Sequence, residues 1–416
     1  MRLRQFGAYV RKVFHRHRLA GRISDSRCDP AIPTSAIWFG LIFGAVFKTP
    51  SFLQLQSETR RKAWQNTVGY AQPISDDALA YATERMPLEP LRTTLATTNK
   101  LLKRNKAFVR NQLSGLLALN LDANEHFKSR SRCCPQCLQR QITVQNAQGQ
   151  EEEVTEYYHK EVYAQLSGPA WNTLLDVEPL RPGEEERAAA LRLLGRLRRL
   201  YGVRFFDVVV ADAWYAKGPF LQAVGALGWA VVVVLKQEDY DVYQEAWALT
   251  QGEPTEEFRQ EGREVRLWEV RNLTFSKTYG RAVRVVRAEE TWTEVKIVGG
   301  QKKPVPKQSN WLWVVTEDLD GYGGRTIRNL GHGRWRIENN AFNVLTQHWH
   351  LRHCAHHDPT SILACLLITL LAFNLFHAFV LLNGKLYRQG KITLQELRLQ
   401  LYRAVEHGLL LPLVSG

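Results

Sequence analysis

Three acidic residues far apart in the chain, Asp122, Asp212 and Glu338, stand where a fold could bring carboxylates together. The first two each follow a short apolar run, in LLALNLD and FFDVVVAD, so each is expected where a buried strand ends. Glu338 lies in GHGRWRIENNAFNVLTQHWH, residues 331–350, whose Trp335, Phe342, Leu345 and Trp349 share one stripe at helical spacing. A step of about 100° per residue sets Glu338 within that stripe and Arg334 at its edge. Two readings of the pair stay open: a buried i, i+4 ion pair that holds the helix in place, or a metal-binding carboxylate that faces a sheet. Three carboxylates suit hard divalent cations such as Mg²⁺, which take oxygen ligands and keep waters and substrate phosphates in their shell. Two such ions about 4 Å apart assist the attacking and leaving oxygens of a phosphoryl displacement. Asp207, inside the second run, competes with Asp212 for the same role.

Around these residues the chain reads as an α/β protein with a helical start. Residues up to about 110 suggest several helices, with Ser51 and Ser75 as N-caps and Asp76 and Asp77 in a first turn. The stretch LRTTLATTNKLLKRNKAFVRNQL ends in Lys103, Arg104, Lys106 and Arg110. Short helices with basic ends suit a DNA-binding head of helix-turn-helix type; the alternative is a plain helical subdomain with solvated charges. A strand over 116–121, strands near 140–145 and 157–166, a helix over 184–201 and strands over 205–211 and 229–236 follow. That order gives a mixed sheet flanked by helices. From about 239 strand-like pieces with polar turns form a β-rich insertion, and the sheet resumes at WLWVVTEDL. The expected division is 1–112 helical N-terminal DNA-binding region, 113–238 first part of the core, 239–308 insertion, 309–382 remainder of the core and 383–416 helical tail.

Charge narrows the partner. Lys and Arg number 55 against 41 Asp and Glu, a formal +14, which favours a polyanion: nucleic acid first, an acidic membrane surface second. The N-terminal MRLRQFGAYVRKVFHRHRLAGR lacks the apolar run of a signal peptide and is expected to touch DNA or to be a solvated arm. Six irregularly spaced cysteines do not make a secreted disulfide framework. Residues 362–382 are long and apolar enough to span a bilayer, but Asn374 and His377 favour a helix buried in a soluble protein, with no membrane partner. Cys134 and Cys137, beside Cys133, form one CxxC. A structural Zn²⁺ there needs two more ligands, which His353, Cys354, His356, His357, His126 or His159 could supply; free thiols are the alternative. The tryptophans, among them Trp268, Trp292, Trp311 and Trp313, read as packing residues, with stacking on an unpaired base as a lesser role. The segment GYGGRTIRNLG lacks the Lys-Ser/Thr step of a phosphate loop.

The α/β order with Asp122, Asp212 and Glu338 resembles the DDE transposases of bacterial insertion sequences. VVVADAWYAKGPF is similar to the family's block around its second Asp, and RWRIENNAF to its tyrosine–arginine–glutamate–lysine signature. Arg334 and Glu338 match that signature, whereas Gly331 stands at its tyrosine position and Leu345 at its lysine position; His332, Gln347 or His348 are the candidates to substitute. The resemblance implies a ribonuclease H-like core interrupted by a β-rich insertion, and two Mg²⁺ ions, replaceable by Mn²⁺, on Asp122, Asp212 and Glu338. It implies that Arg334 holds a phosphate or orients Glu338, that element ends and target DNA are the substrates, and that a homodimer forms the synaptic complex. Cleavage and strand transfer would take place in the bacterial cytoplasm, on the nucleoid. An inactive DNA-binding relative that represses transposition is the alternative.

Overall fold

Leu117, Leu119 and Leu121 alternate with Ala118 and Asn120, and that period of two runs into a long strand, β1 (Ala118–Ser129). The computed structural model describes residues 25–49, 51–168, 171–298, 301–383 and 389–407, with Phe6, Tyr9 and Tyr387; most of the basic N-terminal leader lies outside them. After β1 come β2 (Leu138–Gln145), β3 (Glu151–Ser167) and β4 (Thr173–Pro179). Helix α6 (Glu186–Tyr201) leads to β5 (Val208–Ala211), and α7 (Gly218–Ala226) leads to β6 (Ala230–Val234). β3 runs antiparallel to both β1 and β4, while β1, β5 and β6 are parallel neighbours. The spatial order β4-β3-β1-β5-β6, with a helix in each parallel crossover, is ribonuclease H-like.

Beyond β6 the sheet continues. Helix α8 (Asp241–Leu249) precedes β7 (Glu256–Gln260), β8 (Arg263–Thr274), β9 (Ala282–Val298) and β10 (Gln301–Thr316). These last strands are antiparallel in the order β10-β9-β8-β7, and β10 joins them to β6 through Trp313, Val314 and Val315. The β-rich insertion therefore extends the same sheet. Val298 pairs with Gln301 at one end of the β9–β10 hairpin and Val283 with Thr316 at the other, and Val295 and Ile297 stand exposed toward the hairpin tip.

Both sheet faces are covered, which explains the near-continuous apolar runs of β5 and β6. Val209, Ala211, Val231 and Val233 enter the larger core with α6 and α7. Val208, Val210 and Val232 enter a second core with Ile327 and Leu330 of α9 (Gly324–Gly333). Among the described residues, the helices α1 (Thr34–Phe47), α2 (Phe52–Thr59), α3 (Lys62–Val68), α4 (Asp76–Glu84) and α5 (Leu88–Arg104) precede the sheet. Ser51 and Ser75 cap α2 and α4, each accepting a backbone N–H three residues on. An ionic seam docks α5 to the core: Asp176 accepts from Arg196 at 2.6 Å and from Arg92 at 3.4 Å.

The long apolar helix α11 (Pro359–Asn383) is one that by length and composition could cross a membrane. Here it packs against α1, α4, α5 and β4. Its polar residue Asn374 is fully buried and satisfied: its amide donates to Asn99 Oδ1 (3.0 Å) and the Leu174 carbonyl (2.7 Å), and its Oδ1 accepts from the Leu174 N–H (3.0 Å). Asn374 thus registers the N-terminal helices, β4 and α11 against one another.

Two local expectations differ from the structure. β1 does not stop at Asp122: its apolar burial ends there, but the ladder to β3 continues, with Asp122 opposite Tyr163. Nor is 331–350 one regular helix. α9 ends at Gly333, a wider π-helical turn occupies Ile337–Phe342, and α10 (Asn343–Trp349) follows. Trp335 is consequently 43% exposed, packed edge-on over Trp311 at a centroid distance of 5.3 Å instead of facing the core.

Candidate active site

The parallel strands β1 and β5 lie side by side, and each carries an aspartate toward the same end. Asp122 follows the most buried part of β1. Asp212 follows β5 directly and caps a short 3₁₀ turn, its Oδ1 accepting the Trp214 N–H at 2.9 Å. Asp207 lies at the other end of β5 and accepts the Leu117 N–H at 2.7 Å, a tie between strand starts. That position removes it from the cluster and leaves Asp212 beside Asp122.

Glu338 arrives on the π-helical turn. Such turns insert an extra residue and redirect side chains, and they recur at functional sites. Ile337, Ala341 and Phe342 anchor the turn in the larger core, with the Phe342 ring 5.1 Å from Tyr163. Asn120, two residues before Asp122 and on the same side of the strand, donates to the Gly333 carbonyl at 2.8 Å and so pins the start of this stretch to β1. Asn120 was silent in the sequence beyond being a polar break in an apolar run.

Arg334 connects the pieces. Its Nη1 donates to Glu338 Oε1 at 2.6 Å and to Asp122 Oδ2 at 3.3 Å. The guanidinium is 9% exposed, Asp122 15% and Glu338 48%, so the glutamate stands at the mouth and the aspartate inside. The ion pair expected between Arg334 and Glu338 is present, but it is shared and its glutamate is half open to solvent.

Burial pushes Asp122 up to about 7; Glu338 and Asp212 push the same way and Arg334 opposes them. Burial likewise raises Asp212, against its hydrogen bond to Trp214 and the charge of Arg334, while Glu186 and Glu338 add to the rise. Glu186, at the start of α6, is an acidic neighbour that nothing in the sequence separated from Glu184 and Glu185. It accepts from the buried Tyr215 hydroxyl at 2.7 Å and pairs with Lys160 at 2.8 Å. Two carboxylates share one guanidinium and Asp212 lies at the neighbouring strand end, so acidic groups outnumber counter-charge here, inside a chain of charge +14. That excess of oxygen donors over counter-charge fits hard divalent cations. Beside it runs an open groove of about 720 Å³, lined among others by Tyr158, Lys160, Glu186 and Trp214.

The departures from the signature have steric reasons. A Cβ on Gly331 would lie 2.1 Å from Trp313 Nε1, so no side chain fits there. Leu345 is fully buried in the core, where a lysine ammonium would be stranded. Of the three substitutes considered, His332 is engaged at 2.6 Å by Glu290, His348 lies 2.9 Å from the Gln395 amide, and Gln347 is exposed.

The basic cluster divides. Lys103 Nζ donates to the carbonyls of Arg204 (2.7 Å) and Phe205 (2.6 Å), and burial lowers its pKa. Arg104, Lys106 and Arg110 are exposed. Cys134 and Cys137 meet His159 and His357, whereas Cys133 is exposed and Cys354 turns to the His356 carbonyl.

Comparison with known proteins gives a matched domain. Residues 175–375 match the model described as transposase DDE domain, a span that includes Asp212 and Glu338 and begins after Asp122. No curated protein matches the chain. Among solved structures it is similar to piggyBac transposase in a synaptic complex with hairpin DNA, at 12% identity and a TM-score of 0.42, over 97% of this chain and 79% of that one. Residues 175–375 therefore carry a transposase DDE domain, set on a sheet with ribonuclease H-like strand order.

Proposed function

We propose that this chain binds the ends of a mobile element, cuts them, and joins the freed 3′-hydroxyls to target DNA, with Asp122, Asp212 and Glu338 as the catalytic carboxylates. The observation that supports this reading is the bridge from Arg334 to both Asp122 and Glu338, with Asp212 at the end of the neighbouring parallel strand. Two Mg²⁺ ions, with Mn²⁺ as a substitute, would be held by these carboxylates and would supply activation of the attacking oxygen and charge neutralisation at the leaving one. Arg334 fixes the spacing of Asp122 and Glu338 and offers its positive charge to a bound phosphate. Lys160 and the exposed indole of Trp214 line the groove through which a strand would reach the carboxylates. Arg104, Lys106 and Arg110, at the end of the N-terminal helical region, would contact the backbone of the element end. A homodimer would hold two ends together, and the work would be done on the nucleoid in the bacterial cytoplasm.

The test is incubation of the full chain with cloned element ends and Mg²⁺, with the broken strands mapped at nucleotide resolution. Cuts at the element boundary, absent with a chelator, are expected. Tight binding of ends with no cut in either Mg²⁺ or Mn²⁺ would instead make the chain a DNA-binding relative without catalysis.

A further inference from the structure

Away from the carboxylates, four soft ligands from three separate segments converge. Cys134 and Cys137 come from the loop between β1 and β2, His159 from β3, and His357 from the segment that links α10 to α11. One ligand atom from each lies within 4.8 Å of the others. Cys134 Sγ is 3.7 Å from Cys137 Sγ, and His159 Nε2 is 3.3 Å from both sulfurs. His357 Nε2 is 3.4 Å from Cys137 Sγ. A tetrahedral zinc with Zn–S of about 2.3 Å and Zn–N of about 2.05 Å requires S···S of about 3.8 Å and S···N of about 3.6 Å. The observed edges are close to those values. A disulfide, with sulfurs about 2.05 Å apart, is not what this spacing describes.

The surroundings are built for the purpose. The Cys134 N–H donates to Cys137 Sγ at 3.3 Å, the kind of bond that stabilises a thiolate. Phe127 stacks on the His159 ring at 5.2 Å, tilted by 22°, and meets the His357 ring edge-on at 5.0 Å, so one side chain fixes both imidazoles. Cys137 and His159 are buried, at 4% and 5% exposure.

We infer that Cys134, Cys137, His159 and His357 bind one structural Zn²⁺. Four protein ligands close the coordination shell, which is the mark of a structural site. The ion ties the β1–β2 loop and β3 to the chain that emerges from α10. It thereby fixes, from the C-terminal side, the helical stretch that carries Glu338. Metal binding here is separate from the carboxylate cluster and stands whether or not that cluster cuts DNA.

The full chain, expressed with zinc in the medium and purified without chelator, is expected to hold about one zinc per chain by mass spectrometry. Its zinc-edge absorption spectrum is expected to fit two sulfurs and two nitrogens at about 2.3 and 2.05 Å. Folded protein with less than about a tenth of an equivalent of zinc, or a shell of oxygens alone, overturns the assignment. Because Cys137→Ser can fail to fold, His357→Ala is the second variant: it removes a ligand from a distant segment. It is expected to lose at least tenfold in zinc affinity and several degrees in Tm, whereas Cys133→Ser keeps one zinc and its Tm. Retention of tight zinc by His357→Ala, or loss of it in Cys133→Ser, refutes the proposed ligand set.

Discussion

Asp122 and Glu338 share a single guanidinium nitrogen, Nη1 of Arg334, at 3.3 and 2.6 Å. One carboxylate is buried and the other stands at the pocket mouth, so the arginine spans the depth of the site. Removing it leaves Asp122 buried without its partner. Arg334→Met is therefore expected to lower stability by about 1–3 kcal/mol in urea titrations, less than for a fully buried pair because Glu338 is half exposed. Added Mg²⁺ should recover part of that loss if the carboxylates take up the ion. A variant as stable as the wild type would make Arg334 incidental to the fold.

Replacing the carboxylates one at a time separates structure from catalysis. Glu338→Gln keeps an acceptor for Arg334 at the half-exposed mouth and should cost less than about 1 kcal/mol. Against end DNA and Mg²⁺ it should lose cleavage by about three orders of magnitude or more while retaining binding. Asp122→Asn and Asp212→Asn should match it, and combining them should add little if the three act as one unit. Wild-type cleavage by Glu338→Gln would reduce this residue to a partner of Arg334.

The pH dependence of metal-free protein gives an independent readout. Burial, with Glu338 and Asp212, raises Asp122 in the fold from 3.8 to about 7, so the folded state binds a proton that the unfolded chain has released. Stability from this group is therefore present below about pH 4 and is lost as pH rises toward 7. Asp122→Asn cannot titrate. The stability difference, wild type minus variant, should fall between pH 5 and 7.5 without metal, and Mg²⁺ should flatten it. A difference independent of pH would contradict the crowding of charge at Asp122.

Much of this arrangement was legible because strands buried on both faces leave unbroken apolar runs. The runs before Asp122 and Asp212 marked buried strands for that reason, and the fold makes those strands parallel neighbours. The break at Glu338 was not legible. Uniform stepping of 100° treats 331–350 as one helix, and the π-helical turn shifts the phase where the side chain matters. Shared partners were hidden too: Arg334 at i, i+4 from Glu338 was visible, but its second bond crosses 212 residues to Asp122. His357 is similarly remote from Cys137 in sequence, and only the fold selects it and His159 from the six candidates.

Gly331 offers a test of packing beside the site. A methyl group there would meet Trp313 Nε1 at 2.1 Å, and Trp313 is itself wedged between Trp311 and His332. Gly331→Ala should therefore destabilise the protein by about 1–3 kcal/mol, in spite of the better helix propensity of alanine. Restoring the tyrosine of the family signature at this position should be worse still. An alanine variant that gains stability would mean that Trp313 can move aside without loss.

The basic cluster at and beyond the end of α5 makes the last prediction, because its four residues should part company. Lys103 is engaged by two carbonyls of the loop before β5, so Lys103→Ala should cost about 1–3 kcal/mol of stability. It should leave the salt dependence of DNA binding unchanged. Arg104, Lys106 and Arg110 are exposed and should behave in the opposite way. Replacing all three with Gln should leave stability within about 0.5 kcal/mol, as for ordinary surface positions. Every phosphate no longer neutralised should reduce the slope of log K against log salt by about 0.9, so the triple variant can flatten it by at most about three. Fluorescence anisotropy at several salt concentrations reads this directly. An unchanged slope would remove the cluster from the DNA interface. Attention would then move to the exposed β9–β10 hairpin, where Lys296, Lys302 and Lys303 stand in solvent on paired strands that could lie along a phosphate backbone.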